Sequence, residues 1–192
     1  MSPPPATDDP ATTEVASDTL RLTATFAFAE QTGAVSVRYR LENGGADPVA
    51  VFDRGDRHAV LTGRQTEGVV GEPIFVEDAP GEVSLYHAAR ALSQPTPTVP
   101  PTPLAAKLAG GDALEGTFVL APPTEQPLRR VRWCLGVAPF DPAAFSAPET
   151  RDGVEVWRAG FEQAEQQTLL CTDWFDVEAG RFDAAEPVRA AH

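Results

Sequence analysis

The stretch Thr19–Glu42, TLRLTATFAFAEQTGAVSVRYRLE, decides the fold class of this chain. Leu20, Leu22, Ala24, Phe26 and Phe28 fall on one side of an extended backbone, and Arg21, Thr23 and Thr25 on the other. That period of two marks a strand with one buried face. After Gln31-Thr32-Gly33 the alternation resumes: Val35, Val37, Tyr39 and Leu41 point one way, and Ser36, Arg38, Arg40 and Glu42 the other. Two alternating runs joined by a short glycine-containing turn predict a β-hairpin.

Further strands are read outward from this hairpin. Asn43-Gly44-Gly45 is a turn, Pro48–Asp53 a third strand, and His58–Thr62 a continuation or partner of it beyond the Arg54-Gly55-Asp56 turn. Weaker strand signals cover Val69–Glu77 and Val83–Ala89, with a helix over Ser84–Leu92 as the alternative for the second. Alternation returns in Leu114–Ala121 and in Leu128–Ala138, where Val131, Trp133, Leu135 and Val137 oppose Arg130, Arg132 and Cys134. Asp141–Pro148 reads as a loop, Val154–Trp157 as a strand, Phe161–Gln167 as a helical turn and Thr168–Val177 as a final strand. Many short strands, little helix and no βαβ rhythm predict an all-β, antiparallel β-sandwich over residues 18–178.

The flanks differ in composition. Residues 1–17, MSPPPATDDPATTEVAS, are rich in Pro, Thr and acids and are expected to form a disordered tether; residues 179–192 are expected to be a loosely ordered tail. In composition the first segment is similar to the spacer that follows the lipid-carrying cysteine of bacterial lipoproteins. The expectation is a periplasmic or envelope domain with a lipid anchor upstream of Ser2, the alternative being a cytoplasmic protein with a plain extension. The chain of 192 residues carries a net charge of −13. Such a surface repels nucleic acid phosphates and anionic headgroups, so nucleic acid is not an expected partner. No apolar run reaches the roughly 18 residues of a membrane span.

The segments Val37–Gly45 (VRYRLENGG), Pro48–Arg54 (PVAVFDR) and Lys107–Pro123 (KLAGGDALEGTFVLAPP) resemble bacterial immunoglobulin-like envelope domains, in which a strand ends in an Asn-Gly turn and a Leu-x-x-Gly-x-x-Leu turn leads into a late strand. The layout is also similar to that of the intracellular proteinase inhibitor family. The resemblance implies an immunoglobulin-like sandwich with a binding or inhibitory role and an unidentified protein or glycan partner.

Residues able to carry chemistry are few. Cys134 and Cys171 both lie in expected strands; if those strands are neighbours a disulfide can form, and otherwise they are two partly buried thiols. The tether and the even count favour the disulfide. Metal-ligand spacing, a nucleotide-binding glycine loop and a Gly-x-Ser-x-Gly elbow are missing, so neither cofactor nor metal is expected. Asp53 and Asp56 offer calcium two carboxylates without the full loop pattern, so the turn reads as a solvated charged turn, and Arg54-Gly55-Asp56 is a tripeptide that chance supplies. The Pro-rich segment Gln94–Pro103 is the candidate interaction loop through Pro95, Pro97, Val99, Pro100, Pro101 and Pro103, because polyproline II presents side chains at low ordering cost; its simpler role is a connector. Three functions follow in order: a non-catalytic binding or structural module, a protease inhibitor acting through loop 94–103 or 141–152, and a hydrolase using His87, Asp173 and Asp176 in a cleft. Trp133, Trp157 and Trp174 are read as packing residues before they are read as binding platforms.

Overall fold

A computed structural model describes residues 10–184 of the chain. In chain order the elements are β1 (Ala11–Ala16), β2 (Leu20–Ala29), β3 (Ala34–Asn43), β4 (Val49–Val51), α1 (Arg57–Leu61), β5 (Ile74–Ala79), β6 (Glu82–His87), β7 (Leu104–Leu108) and β8 (Ala113–Leu120). They continue with β9 (Arg130–Pro139), β10 (Phe145–Arg151), β11 (Val154–Ala159), α2 (Gln163–Gln166), β12 (Thr168–Cys171), β13 (Phe175–Asp176) and β14 (Arg181–Phe182). The fold is all-β, in two packed sheets.

The first sheet has the order β1-β2-β3-β8, antiparallel throughout. Its centre is the hairpin read from the sequence, in register from Leu20↔Asn43 to Ala29↔Ala34. Gly33, at φ +64°, closes the turn in the left-handed region where a side chain would be strained. Residues 11–16 are not tether: they form β1, paired from Ala11↔Phe26 to Ala16↔Arg21. Thr12, Thr13 and Val15 are β-branched, the Thr12 and Thr25 hydroxyls meet at 2.9 Å across the pair, and Val15 packs on the core. Residues 1–9 of the expected tether lie outside the described residues, as do 185–192 of the expected tail. The start of that tail, Arg181–Phe182, pairs with β13, and Phe182 packs on Phe26 and Phe175.

The second sheet is organised around β9, which pairs with four strands. β13, β12 and β4 run antiparallel to it, whereas β6 runs parallel, from Glu82↔Arg130 to His87↔Leu135. The expectation of a wholly antiparallel sandwich is corrected at this pair. Beyond β4 the sheet continues through β7 and β11 to β10, and β5 flanks β6.

Leu22, Phe26, Val35, Val37 and Leu41 of the first sheet meet Val83, Leu85, Val131, Trp133 and Leu135 of the second, all fully buried in one core. A smaller cluster, with Ala50, Phe52, Ala105, Ala138 and Phe145, covers the far face of the second sheet. Neighbouring residues therefore join different clusters: Val51 and Ala50, Ala106 and Ala105, Val137 and Ala138. Strands buried on both faces lose alternation, which is why LAAKL (β7) gives no strand signal.

Other expectations are also corrected. His58–Thr62 is not a strand but the end of helix α1, nucleated by Asp56, whose Oδ1 accepts the Ala59 amide at 2.8 Å as an N-cap. The alternative helix over Ser84–Leu92 gives way to β6, and the expected loop 141–148 runs into β10 at Phe145. Among the described residues no helix is long and apolar enough to cross a membrane.

Candidate functional site

A concave site forms where β4 and β6 end beside the loop 54–73. The loop is held by polar groups that the core itself supplies. Asp53, fully buried, accepts the Tyr39 hydroxyl at Oδ2 (2.5 Å) and faces Arg54 Nε at Oδ1 (3.0 Å). Tyr39 comes from β3 of the opposite sheet and reaches Asp53 over Gly116 of β8, where any Cβ would collide with the tyrosine hydroxyl. Burial first, then the adjacent Asp53 charge, pushes the Tyr39 hydroxyl far above its ordinary pKa, so it remains a donor. Arg54, 5 % exposed, donates through Nη1 to the Gly68 carbonyl at 3.0 Å, while its own carbonyl accepts Gln65 Nε2 at 2.7 Å.

The second anchor is His87 at the end of β6. Trp133 Nε1, which can only donate, lies 2.9 Å from His87 Nδ1. The imidazole must therefore accept there and carry its proton on Nε2, which donates to the Gly71 carbonyl at 2.7 Å. The Gly71 amide in turn donates to the Asp53 carbonyl at 2.9 Å. Gly71 has no room for a side chain, because a Cβ would press into the Gly55 backbone. Burial lowers the His87 pKa, and protonation would set two N–H donors face to face at Trp133. The ring is thus neutral and engaged at both nitrogens.

These anchors shape a cleft of about 380 Å³. Phe52, Tyr86 and Ile74 supply apolar floor, α1 and residues 64–70 one wall, and the end of the Pro-rich segment the other. That segment is tied down: the Arg57 amide donates to the Thr102 carbonyl (2.9 Å) and the Leu104 amide to the Gly55 carbonyl (3.0 Å). Of the candidate interaction residues, Pro101 and Pro103 line the cleft. Pro95 and Val99 are exposed on the crossing chain, and Pro97 and Pro100 are half-buried. The segment is a connector at its start and a cleft wall at its end.

The other sequence candidates fall elsewhere. Cys134 and Cys171 sit directly opposite each other in β9 and β12, with Cα atoms 4.0 Å apart, and form a disulfide. Asp173 accepts a hydroxyl from Thr13 at 3.4 Å and Asp176 accepts the Ala179 amide at 2.8 Å. With His87 bound to Gly71 and Trp133, no hydrogen bond links the three residues of the hydrolase reading. Trp174 lies beneath the guanidiniums of Arg130 and Arg132, at 4.7 and 4.8 Å. Trp133 is in the main core, and Trp157 packs against Phe140 on the far face. Arg54-Gly55-Asp56 is not displayed, since Arg54 is buried, and Asp56 caps α1. Among the described residues no group of three or more metal-ligating side chains gathers.

Sequence reasoning missed the cleft because Arg64, Gln65, Glu72, Tyr86 and Arg90 belong to no motif. The available signal was the capping residue Asp56 after a Gly, which marks a helix start and hence a loop held away from the sheet. Comparison of the chain with family models, curated proteins and solved structures found no match.

Proposed function

We propose that this protein is a non-catalytic binding module of the bacterial cell envelope, with the cleft beside loop 54–73 as its binding site. The observation that carries this reading is how the cleft is built. Its walls are fixed by buried hydrogen bonds, and its one buried titratable side chain, His87, has both ring nitrogens engaged in holding the Gly71 turn. A group so engaged positions a surface and does not shuttle protons. The volume of about 380 Å³ suits a small ligand or a few residues of a peptide. The envelope location is supported by the Cys134–Cys171 disulfide, since such bonds persist in oxidising compartments, and by the resemblance of Val37–Gly45 and Lys107–Pro123 to envelope domains.

An NMR titration of the ¹⁵N-labelled protein with a library of small fragments tests the site. Binding fragments should shift the amides of residues 64–74 and 86–90 together. Shifts scattered over the surface, or a hydrolase activity abolished by one substitution, would overturn the reading. Intact mass with thiol alkylation, on protein recovered from its native host, tests the compartment: two alkylated cysteines without prior reduction would remove it from the envelope.

A further inference from the structure

We propose that the cleft selects ligands carrying a carboxylate on an apolar body, and that Arg64 and Arg90 bind the carboxylate. This rests on the cleft being a binding site, and it names what enters. The cleft combines apolar floor from Phe52, Val70, Ile74 and Tyr86 with two guanidiniums in its lining. Of the thirteen arginines among the described residues, six (Arg21, Arg40, Arg54, Arg129, Arg130 and Arg151) lie within 4.0 Å of a carboxylate. Arg64 and Arg90 do not. Among the described residues Arg64 donates only from Nε, to the Thr62 hydroxyl at 3.2 Å, and its two Nη groups have no partner there. Arg90 is exposed and makes no hydrogen bond among the described residues.

Among the described residues no carboxylate forms an ion pair with either. Asp56 faces its helix cap, with Oδ1 accepting the Ala59 amide. Glu72, in the lining, is exposed and forms no ion pair among the described residues. A planar guanidinium fork matches a carboxylate with two parallel hydrogen bonds, a geometry a neutral amide does not reproduce. The apolar body has its own complement. Leu61, Val69 and Val99, exposed by 61 %, 41 % and 46 %, belong to the helix, loop and Pro-rich segment that frame the cleft. Of these Val69 lines the cleft itself, and an exposed aliphatic side chain there suits a ligand with an apolar tail. A free aliphatic acid and the C-terminus of an apolar peptide both present this chemistry.

The test uses two acid–amide pairs, octanoate with octanamide and N-acetyl-Leu-Phe with its C-terminal amide, titrated by calorimetry and by NMR. An acid that binds should shift residues 64–74 and 86–90, with its amide about tenfold or more weaker, as the loss of a charge-assisted contact implies. Octanoate alone would identify a free acid as the source, and the peptide alone a chain terminus. The double variant R64Q/R90Q should weaken the acid about tenfold or more, and E72Q should tighten it a few-fold by removing the lining's like charge, roughly 1 kcal/mol or less at an exposed site. Both arginines are exposed, so an unchanged thermal midpoint confirms that the variants fold. Amides binding as tightly as acids, or R64Q/R90Q binding as wild type, would overturn carboxylate selection while leaving the cleft as a site. Fragments that never reach the cleft would overturn both.

Discussion

The two sheets of this protein are held together by different kinds of information. In the first sheet each strand pairs with its sequence neighbour or, for β8, with the hairpin's open edge, and inward and outward residues alternate over ten-residue runs. In the second sheet β9 gathers partners from residues 49–51, 82–87, 168–171 and 175–176, and several strands are buried on both faces. The first sheet is a local object with a solvent face. The second is assembled from afar, and the cleft lies where its pieces meet loop 54–73. Precision at the site thus depends on long-range polar anchors more than on hairpin geometry.

This contrast can be broken most forcefully at its anchors. Asp53→Ala should destabilise the fold by about 3–5 kcal/mol, because it leaves Arg54 buried without its partner; urea unfolding measures it, and a loss below about 1 kcal/mol, the level of exposed pairs, would show that loop 54–73 does not depend on the pair. Replacing Cys134 and Cys171 by alanine should cost about 3–4 kcal/mol in the chain-entropy model, for a bond spanning 37 residues. An equal midpoint for oxidised and reduced protein would contradict that account.

The His87 anchor predicts a pH dependence with a definite sign. Its folded pKa is lowered, so below its unfolded value near 6.5 the unfolded chain takes up a proton that the fold resists. Its contribution is complete above about pH 6.5 and is lost as pH falls toward the folded value, at up to about 1.4 kcal/mol per pH unit. His87→Gln should flatten that part of the stability–pH curve, and an unchanged slope would show that another group is responsible. The smallest effect belongs to the first sheet: Val119, 62 % exposed on edge strand β8, should tolerate substitution by threonine within about 0.5 kcal/mol.

What could be read from the sequence follows the same division. Hairpin β2–β3, strand β8 and the inward set of β9 were legible because one buried face imposes a period of two. The pairing of Cys134 with Cys171 was legible as an option, since both fell in strands, but only the register makes them neighbours. β7 was hidden by its two buried faces and α1 by its brevity. β1 was hidden by a composition that reads as disorder until an edge strand offers it backbone partners. The cleft was illegible because its lining comes from residues 52 to 103 with no local pattern. His87 looked like a general base in one dimension, and its bonds to Trp133 and Gly71 exist only in three.

The late position in the chain of β9, on which four other strands assemble, has a consequence for the protein's synthesis. A ribosome making the chain from its N-terminus completes the β2–β3 hairpin at Asn43, yet the strand that organises the opposing sheet ends only at Pro139. For the time needed to add the intervening residues, roughly 5–20 s at typical elongation rates, Phe26, Val35 and Val37 have no second layer to cover them. The nascent chain therefore carries an uncovered apolar face, open to misassociation, until β9 emerges.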